Sequence, residues 1–353
     1  MACEKMINNY MIRIMLMCLA AAALAWGAAA QEQPNPFAAA ATYSRERGGD
    51  AVLVVIGGQI AFEEYQNGYQ ATQFHAIASG SKSFMCALAV LAQMDGLLTL
   101  DEPAAATLTE WQDDPVRSQI TLRQILSQTE GLLGGELTLR ARTVTDRAAA
   151  AIGMEAFSAP GERFHYGPSH FYLFNEVLRR KLNNGDTVEY LRERVLDPIG
   201  VANFQITRDA AGNPNWAAGV ATTARSWARY GLLVLNEGRW NGETLLDADM
   251  LRECFVGTFA NPYYGLSWWL FYDNMPDIRL EMMAVASPEP GLIPEGVVLG
   301  ETAPAAVVAA GAGKQRMIIM PRYNMVVVRL GSQDAAWDDR EFMALLTEAA
   351  ASQ

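Results

Sequence analysis

Two residues in "IASGSKSF", Ile77–Phe84, have types and spacing that suit covalent chemistry. Ser79 carries a hydroxyl, a weak nucleophile until a base takes its proton. Lys82 follows three positions later. On a helix that spacing puts both side chains on one face, with Cβ atoms about 5–6 Å apart. The chain has 27 basic residues, and Lys5, Lys82, Lys181 and Lys314 are its only lysines. Everywhere else arginine supplies the positive charge. Arginine keeps its proton at any useful pH, whereas a desolvated lysine can lose it. Lys82 is therefore a candidate base for Ser79. If the helix starts at Ser79, its backbone N–H is an unpaired first-turn donor, and the positive helix end stabilises a developing oxyanion. Ser81 and Ser83 lack such a lysine partner and read as polar filler of the first turn.

The elements around this pair can be read from periodicity and breakers. "SKSFMCALAVLAQMDG" has Phe84, Ala87, Leu88 and Leu91 at helical spacing, with Gly96 closing it. "AVLVVIGGQIAFEEY" reads as a hairpin about Gly57-Gly58. "MIIMPRYNMVVVRLG" reads as a second hairpin turning at Pro321 to Asn324. Helices are expected over Ile120–Leu132, from an N-cap at Ser169 to Gly185, over "TARSWARYGLLVLNEG", and at the C-terminus. Strands at both ends with helices between imply an α/β (α+β) fold. Its antiparallel sheet is built from both chain ends and flanked by helices, with a mainly helical domain inserted. The boundaries read as 31–50 linker and first helix, 51–100 and 216–353 sheet domain, and 101–215 helical domain. The Pro-rich acidic stretch 273–304 fits no regular element and reads as an excursion overhanging the cleft.

Hydrophobic residues make up 51% of the 353, enough for a large core, and a net charge of −12 excludes a sequence-independent hold on nucleic acid. The apolar run Ile14–Trp26 is short for a membrane span and is followed by Ala28 and Ala30 in an A-x-A pattern. Residues 1–30 therefore read as a signal peptide cleaved after Ala30. That implies a periplasmic protein with no stable membrane anchor after cleavage. Cys86 lies in an apolar helical stretch, where a buried free thiol is the expected state, so Cys86 and Cys254 read as unpaired. No metal-ligand spacing occurs.

The Ser79-x-x-Lys82 segment resembles the nucleophile motif of the serine β-lactamase-like superfamily, in its class C β-lactamase, D-aminopeptidase and esterase branch. "ITLRQILSQTEGL", "APGERFHYGPSHFYLF", "AAGVATTARSWARYGLLVLNEGRW" and "GAGKQRMIIMPRYNMVVVRLG" are similar to later segments of that branch, in order. The resemblance implies a β-lactamase/transpeptidase-like fold and adds Tyr166, matching the tyrosine of a Tyr-x-Asn motif. A tyrosine of ordinary pKa about 10 becomes useful beside a Lys⁺, which favours its anion. Here Tyr166-Gly167-Pro168 lacks the asparagine, and Gln128 and Glu130 stand where members often carry histidine and serine. The flanking His165 and His170 read as structural. In place of a Lys-Thr-Gly strand the chain has Ala309-Ala310-Gly311. The resemblance implies that Ala312 N–H is the second oxyanion donor, opposite Ser79 N–H. Gly311, Gly313, Lys314 and Gln315 become substrate-binding candidates, with Lys314 holding an acidic group or lying solvated, and Gln315 bracing the loop. Trp268 and Trp269 read as a buried aromatic pair that could line the cleft.

Together these readings describe a serine hydrolase acting on an ester or amide of a small-molecule or short-peptide substrate, with no cofactor implied. The missing asparagine and Lys-Thr-Gly point away from efficient β-lactam hydrolysis. The alternative is a penicillin-binding-like sensor or binding protein that never turns over.

Overall fold

The computed structural model describes residues 35–273 and 290–352, apart from residues 140 and 142. The expected signal peptide and half of the acidic excursion, residues 274–289, lie outside the described residues. Among the described residues no helix is long and apolar enough to cross a membrane.

The two hairpins form where the turn residues require. Strand β1 (Gly49–Ile56) passes to β2 (Gln59–Tyr65) through Gly57 and Gly58, with φ of 56° and 79°. Such paired left-handed residues match the natural twist of a two-residue hairpin. β10 (Gln315–Met320) reaches β11 (Met325–Gly331) through a 3₁₀ turn at Pro321–Tyr323 and a left-handed Asn324. β1 pairs antiparallel with β11, Val54 facing Val327, so the first strand closes on the last. With β9 (Ala306–Gly311) and β8 (Trp269–Phe271) the sheet order is β2-β1-β11-β10-β9-β8. Both faces are covered, which explains why β9, β10 and β11 are buried at every position and mostly apolar. Helix α7 (Ala224–Leu235) packs against β1, β10 and β11, with Gly231 pressed on Val326 and Met317. Helices α1 (Ala38–Glu46) and α9 (Asp339–Ala351) pack on each other, and α1 packs against β1. The expected antiparallel sheet with flanking helices is the observed fold.

The stretch between the sheet's two halves is mainly helical. It contains α2 (Phe84–Met94), α3 (Leu122–Leu126), α4 (Arg147–Ile152), α5 (Ser169–Lys181) and α6 (Thr187–Leu191). A capping box of Thr121 and Gln124 starts α3. A small sheet, β3 (His75–Ala76), β5 (Val220–Thr222) and β4 (Phe204–Ile206), sits at its base. A short hairpin, β6 (Arg239–Trp240) and β7 (Glu243–Thr244), leads to α8 (Ala248–Glu253).

Three local expectations change. The helix expected over Ile120–Leu132 is confined to α3, Leu122–Leu126. Ser169 does not cap α5: Pro168 already has helical angles, so Ser169 is the first helical residue and its hydroxyl donates to Leu133 O at 3.0 Å. The cysteines are not free thiols. Cys86 and Cys254 form a disulfide with Cα atoms 6.0 Å apart. The burial expected of Cys86 holds, and Cys254 is inaccessible too. What the sequence hid was that α2 packs against α8, across a separation of 168 residues.

Candidate active site

The nucleophile segment is a 3₁₀ helix, Ala78–Ser83, rather than the start of an α-helix. At three residues per turn, positions i and i+3 eclipse, which aligns Ser79 with Lys82 more directly than an α-helix would. Ala78 enters the turn at φ 46°, a left-handed conformation that a residue with a Cβ adopts only under local constraint. The constraint comes from the serines read as filler. Ser81 Oγ donates to Ala78 O at 2.6 Å and accepts from Val220 N on β5 at 3.0 Å. Ser83 Oγ donates to Gly80 O at 2.8 Å, and Ser83 O accepts from Tyr230 on α7 at 2.8 Å.

Ser79 is half-buried and Lys82 is only 3% exposed. Lys82 Nζ lies 3.0 Å from Ser79 Oγ and donates to Ala217 O at 2.7 Å. It also sits 4.8 Å from the Tyr166 ring centre and 5.2 Å from that of Phe171. The three residues singled out in the sequence, two of them three positions apart and one 84 positions beyond the lysine, therefore meet around one amine.

Tyr166 is held by its backbone and by its ring. Gln128, itself left-handed at φ 59°, accepts His165 N on its carbonyl at 2.9 Å and Gly167 N on its side-chain oxygen at 2.8 Å. The Tyr166 ring stacks on Trp269 with centroids 5.7 Å apart and meets Tyr264 edge-on at 6.1 Å. Trp268 is fully buried core, whereas Trp269 backs the site. Burial pushes the Tyr264 hydroxyl well above its ordinary range, so it stays a neutral phenol. Burial, and then the charge of nearby His170, push His165 below its ordinary value, so it is neutral at pH 7.

The end of β9 abuts the nucleophile turn. A Cβ on Gly311 would stand 2.0 Å from Ile77 O and 3.1 Å from Gly80 N, so only glycine permits this approach. Ala312 is the exposed first residue of the following turn, and Gly313 and Lys314 continue it at φ of 77° and 59°. Lys314 is 4% exposed, which rules out the solvated strand-edge alternative. Gln315 does brace the loop: it donates to Gly313 O at 3.0 Å and Gly331 O at 2.5 Å, and accepts from Gly331 N at 3.0 Å. That inward-facing role argues against direct substrate contact by Gln315.

Sequence reasoning missed two buried arginines behind this turn. Arg316 donates to Gly311 O at 3.2 Å and pairs with Asp339. Arg329 donates to Gly313 O at 2.9 Å and Lys314 O at 3.0 Å. Burial, and then the Arg316 charge, push Arg329 down to about 10, still cationic at neutral pH. The available signal was a charged residue inside each of two otherwise apolar strands. Among the described residues no cluster of three or more His, Cys, Asp or Glu could hold a metal ion.

A family model described as Beta-lactamase matches residues 29–351. No curated protein matches the chain. Among solved structures, a Bacillus anthracis protein provisionally assigned as a 6-aminohexanoate-dimer hydrolase is 20% identical, with TM-score 0.66 over 87% of this chain and 79% of its own. A D-alanine carboxypeptidase from Burkholderia cenocepacia is 19% identical, with TM-score 0.65 over 90% of this chain and 98% of its own. A class C β-lactamase from Rhodobacter sphaeroides is 16% identical, with TM-score 0.64 over 90% of this chain and 99% of its own. At these identities the likeness is one of fold.

Proposed function

The chain belongs to the Beta-lactamase family, and on that premise we propose that it is an exported serine hydrolase that cleaves carboxylic esters or amides through an acyl-enzyme on Ser79. The observation that carries the reading is the 3.0 Å contact between Ser79 Oγ and a lysine amine that is almost wholly removed from solvent. Ser79 Oγ attacks the substrate carbonyl as its proton passes to the Lys82–Tyr166 pair. The C–O⁻ of the tetrahedral intermediate lies between the N–H groups of Ser79 and Ala312. Its collapse breaks the bond to the leaving group, which takes the proton back. Water then repeats the sequence on the acyl-enzyme and frees the acid. Hydroxyl activation and two fixed donors are each worth several kcal/mol in such sites, about 3 per donor.

The substrate is a small molecule or short peptide, and Pro168 narrows it. A Tyr-x-Asn amide would offer a donor and an acceptor to a substrate amide, and proline's side chain offers neither. Esters and simple linear amides are therefore the favoured substrates, ahead of β-lactams.

Intact-protein mass spectrometry tests the proposal, with p-nitrophenyl acetate and a penicillin beside Ser79→Ala. Transient acetylation of Ser79 with release of acetate is expected, and Ser79→Ala should take no label. A permanent adduct would identify a sensor, and absence of any adduct in the wild type would end the hydrolase reading.

A further inference from the structure

Behind the Tyr166 loop lies a buried ionisable pair that the reaction does not use. Glu130 and His170 both have side chains with no solvent exposure, and His170 Nδ1 lies 2.5 Å from Glu130 Oε1. The contact is short but off the line of an ordinary hydrogen bond. Neither Glu130 oxygen has a hydrogen-bond partner among the described residues. A buried carboxylate without hydrogen bonds is costly unless an opposite charge compensates it. His170 Nδ1 is the group that faces it. Its other nitrogen, Nε2, is 2.8 Å from His165 O. A carbonyl only accepts, so Nε2 carries the hydrogen and donates it.

His165 immediately precedes Tyr166. Its N–H is taken by Gln128 O and its C=O by His170 Nε2, while Gly167 N–H is taken by Gln128 Oε1. The polar groups that flank Tyr166 on both sides are thus tied to two side chains and one backbone carbonyl in the helical region. Such tethers matter here because a glycine and a proline follow the tyrosine, and neither side chain can fix the loop by hydrogen bonds.

We propose that the buried Glu130–His170 pair is a positioning element for Tyr166, with Glu130 orienting the His170 ring so that Nε2 clamps the His165 carbonyl. Neither residue touches the reacting atoms. The pair acts through the tripeptide His165–Gly167, and with Gln128 it sets where the phenol stands relative to Lys82. This rests on the reading of Tyr166 as a proton-transfer group.

Two double variants isolate the clamp. Glu130→Gln with His170→Gln removes both ionisable groups but keeps an amide N–H that can reach His165 O. Glu130→Met with His170→Leu removes the ionisable groups and the clamp together. Replacing both members with apolar groups of similar size avoids stranding a buried charge, so the fold should survive. The apolar pair should lower kcat for p-nitrophenyl acetate by roughly 10- to 100-fold, the scale of a misplaced proton-transfer group, with KM nearly unchanged. The polar pair should restore most of kcat. If the apolar pair fails to fold, Glu130→Gln with His170→Met against Glu130→Gln with His170→Gln makes the same comparison.

Fluorotyrosine placed at position 166 reports the loop without activity. One narrow ¹⁹F resonance is expected in the wild type and the polar pair, and a broadened or split one in the apolar pair. Unchanged kcat in the apolar pair, equal loss in both pairs, or identical ¹⁹F spectra would overturn the proposal. Tyr166→Phe runs alongside. If it keeps full kcat, the proton-transfer reading has failed on its own account, and the ¹⁹F spectra alone decide the clamp.

Discussion

Gly311→Ala is the sharpest perturbation of the oxyanion side of the site. The added Cβ would sit 2.0 Å from Ile77 O, 3.0 Å from Ile77 C and 3.1 Å from Gly80 N. A carbon and a carbonyl oxygen rest more than 3 Å apart, so β9 and the nucleophile turn must separate by about 1 Å. Neither side has a flexible tip to move aside, because every close atom belongs to backbone. The turn is fixed through Ser81 to β5, and the strand end is held by Arg316 on Gly311 O. In the proposed mechanism, a shift of that size takes Ala312 N–H out of reach of an oxyanion centred near Ser79. Loss of one such donor costs roughly 10²–10³ in kcat, or about 3–4 kcal/mol. Crowding should also lower stability by about 1–3 kcal/mol. Stopped-flow acylation with p-nitrophenyl acetate separates these effects, since the acylation rate should fall far more than the folded fraction measured by thermal melting. A folded Gly311→Ala protein that acylates at the wild-type rate would refute the placement of the oxyanion beside β9.

Other outcomes follow from the same geometry. Lys82→Arg places a permanent cation there that cannot accept a proton, so it should acylate as poorly as Lys82→Ala, with a loss of about 10²–10⁴ in kcat; recovery in the arginine variant would leave Lys82 an electrostatic role only. With its amide-binding asparagine position filled by Pro168, the protein should have a higher kcat/KM for an activated phenyl ester than for a penicillin, and the reverse order in steady-state assays would contradict the substrate reading. Reducing or replacing the Cys86–Cys254 bridge should cost roughly 2–5 kcal/mol in chemical denaturation, and thiol titration of the unfolded, unreduced chain should find neither Cys86 nor Cys254 free. A hydrogen bond from Arg180 is the main cause holding Glu110 below its ordinary value, at about 2. A depressed carboxylate stabilises the fold above its unfolded pKa, and that contribution disappears as pH falls through the folded value. The Glu110 side chain is 46% exposed, so the contribution is at most about 1 kcal/mol. Glu110→Gln should melt slightly below wild type at pH 7 and together with it near pH 2.

The fold was legible because its signals are local. Gly57-Gly58 and Pro321–Asn324 announce their hairpins through backbone conformations that few other residues adopt cheaply. The Ser79–Lys82 pair was legible for the same reason, three positions being a distance that any helix converts into contact. Tyr166 is 84 positions beyond Lys82, and nothing local ties the two together. It came into view through likeness to a family, and the stack on Trp269 that holds its ring joins two further remote segments. The disulfide shows the limit most plainly. The burial of Cys86 could be read from its apolar neighbours, but its partner is set by how α2 meets α8, which no window of sequence contains.

The residues that escaped notice share a physical property: each is polar, buried and satisfied by backbone rather than by substrate. Ser81 and Ser83 were read as filler because a hydroxyl in a first turn usually faces water. Here they tie the turn to itself, and Ser81 also ties it to β5. Arg316 and Arg329 interrupt apolar strands, where a charge is affordable only if several acceptors meet it, and the acceptors include the carbonyls of Gly311, Gly313 and Lys314 and the Asp339 carboxylate. Gln128 does the same for the groups on either side of Tyr166. The chemistry therefore rests on few side chains, while its geometry rests on many that never meet a substrate. A polar residue whose surroundings in sequence are apolar deserves to be asked which backbone groups it holds, since in this protein that question leads back to Ser79, Tyr166 and the end of β9.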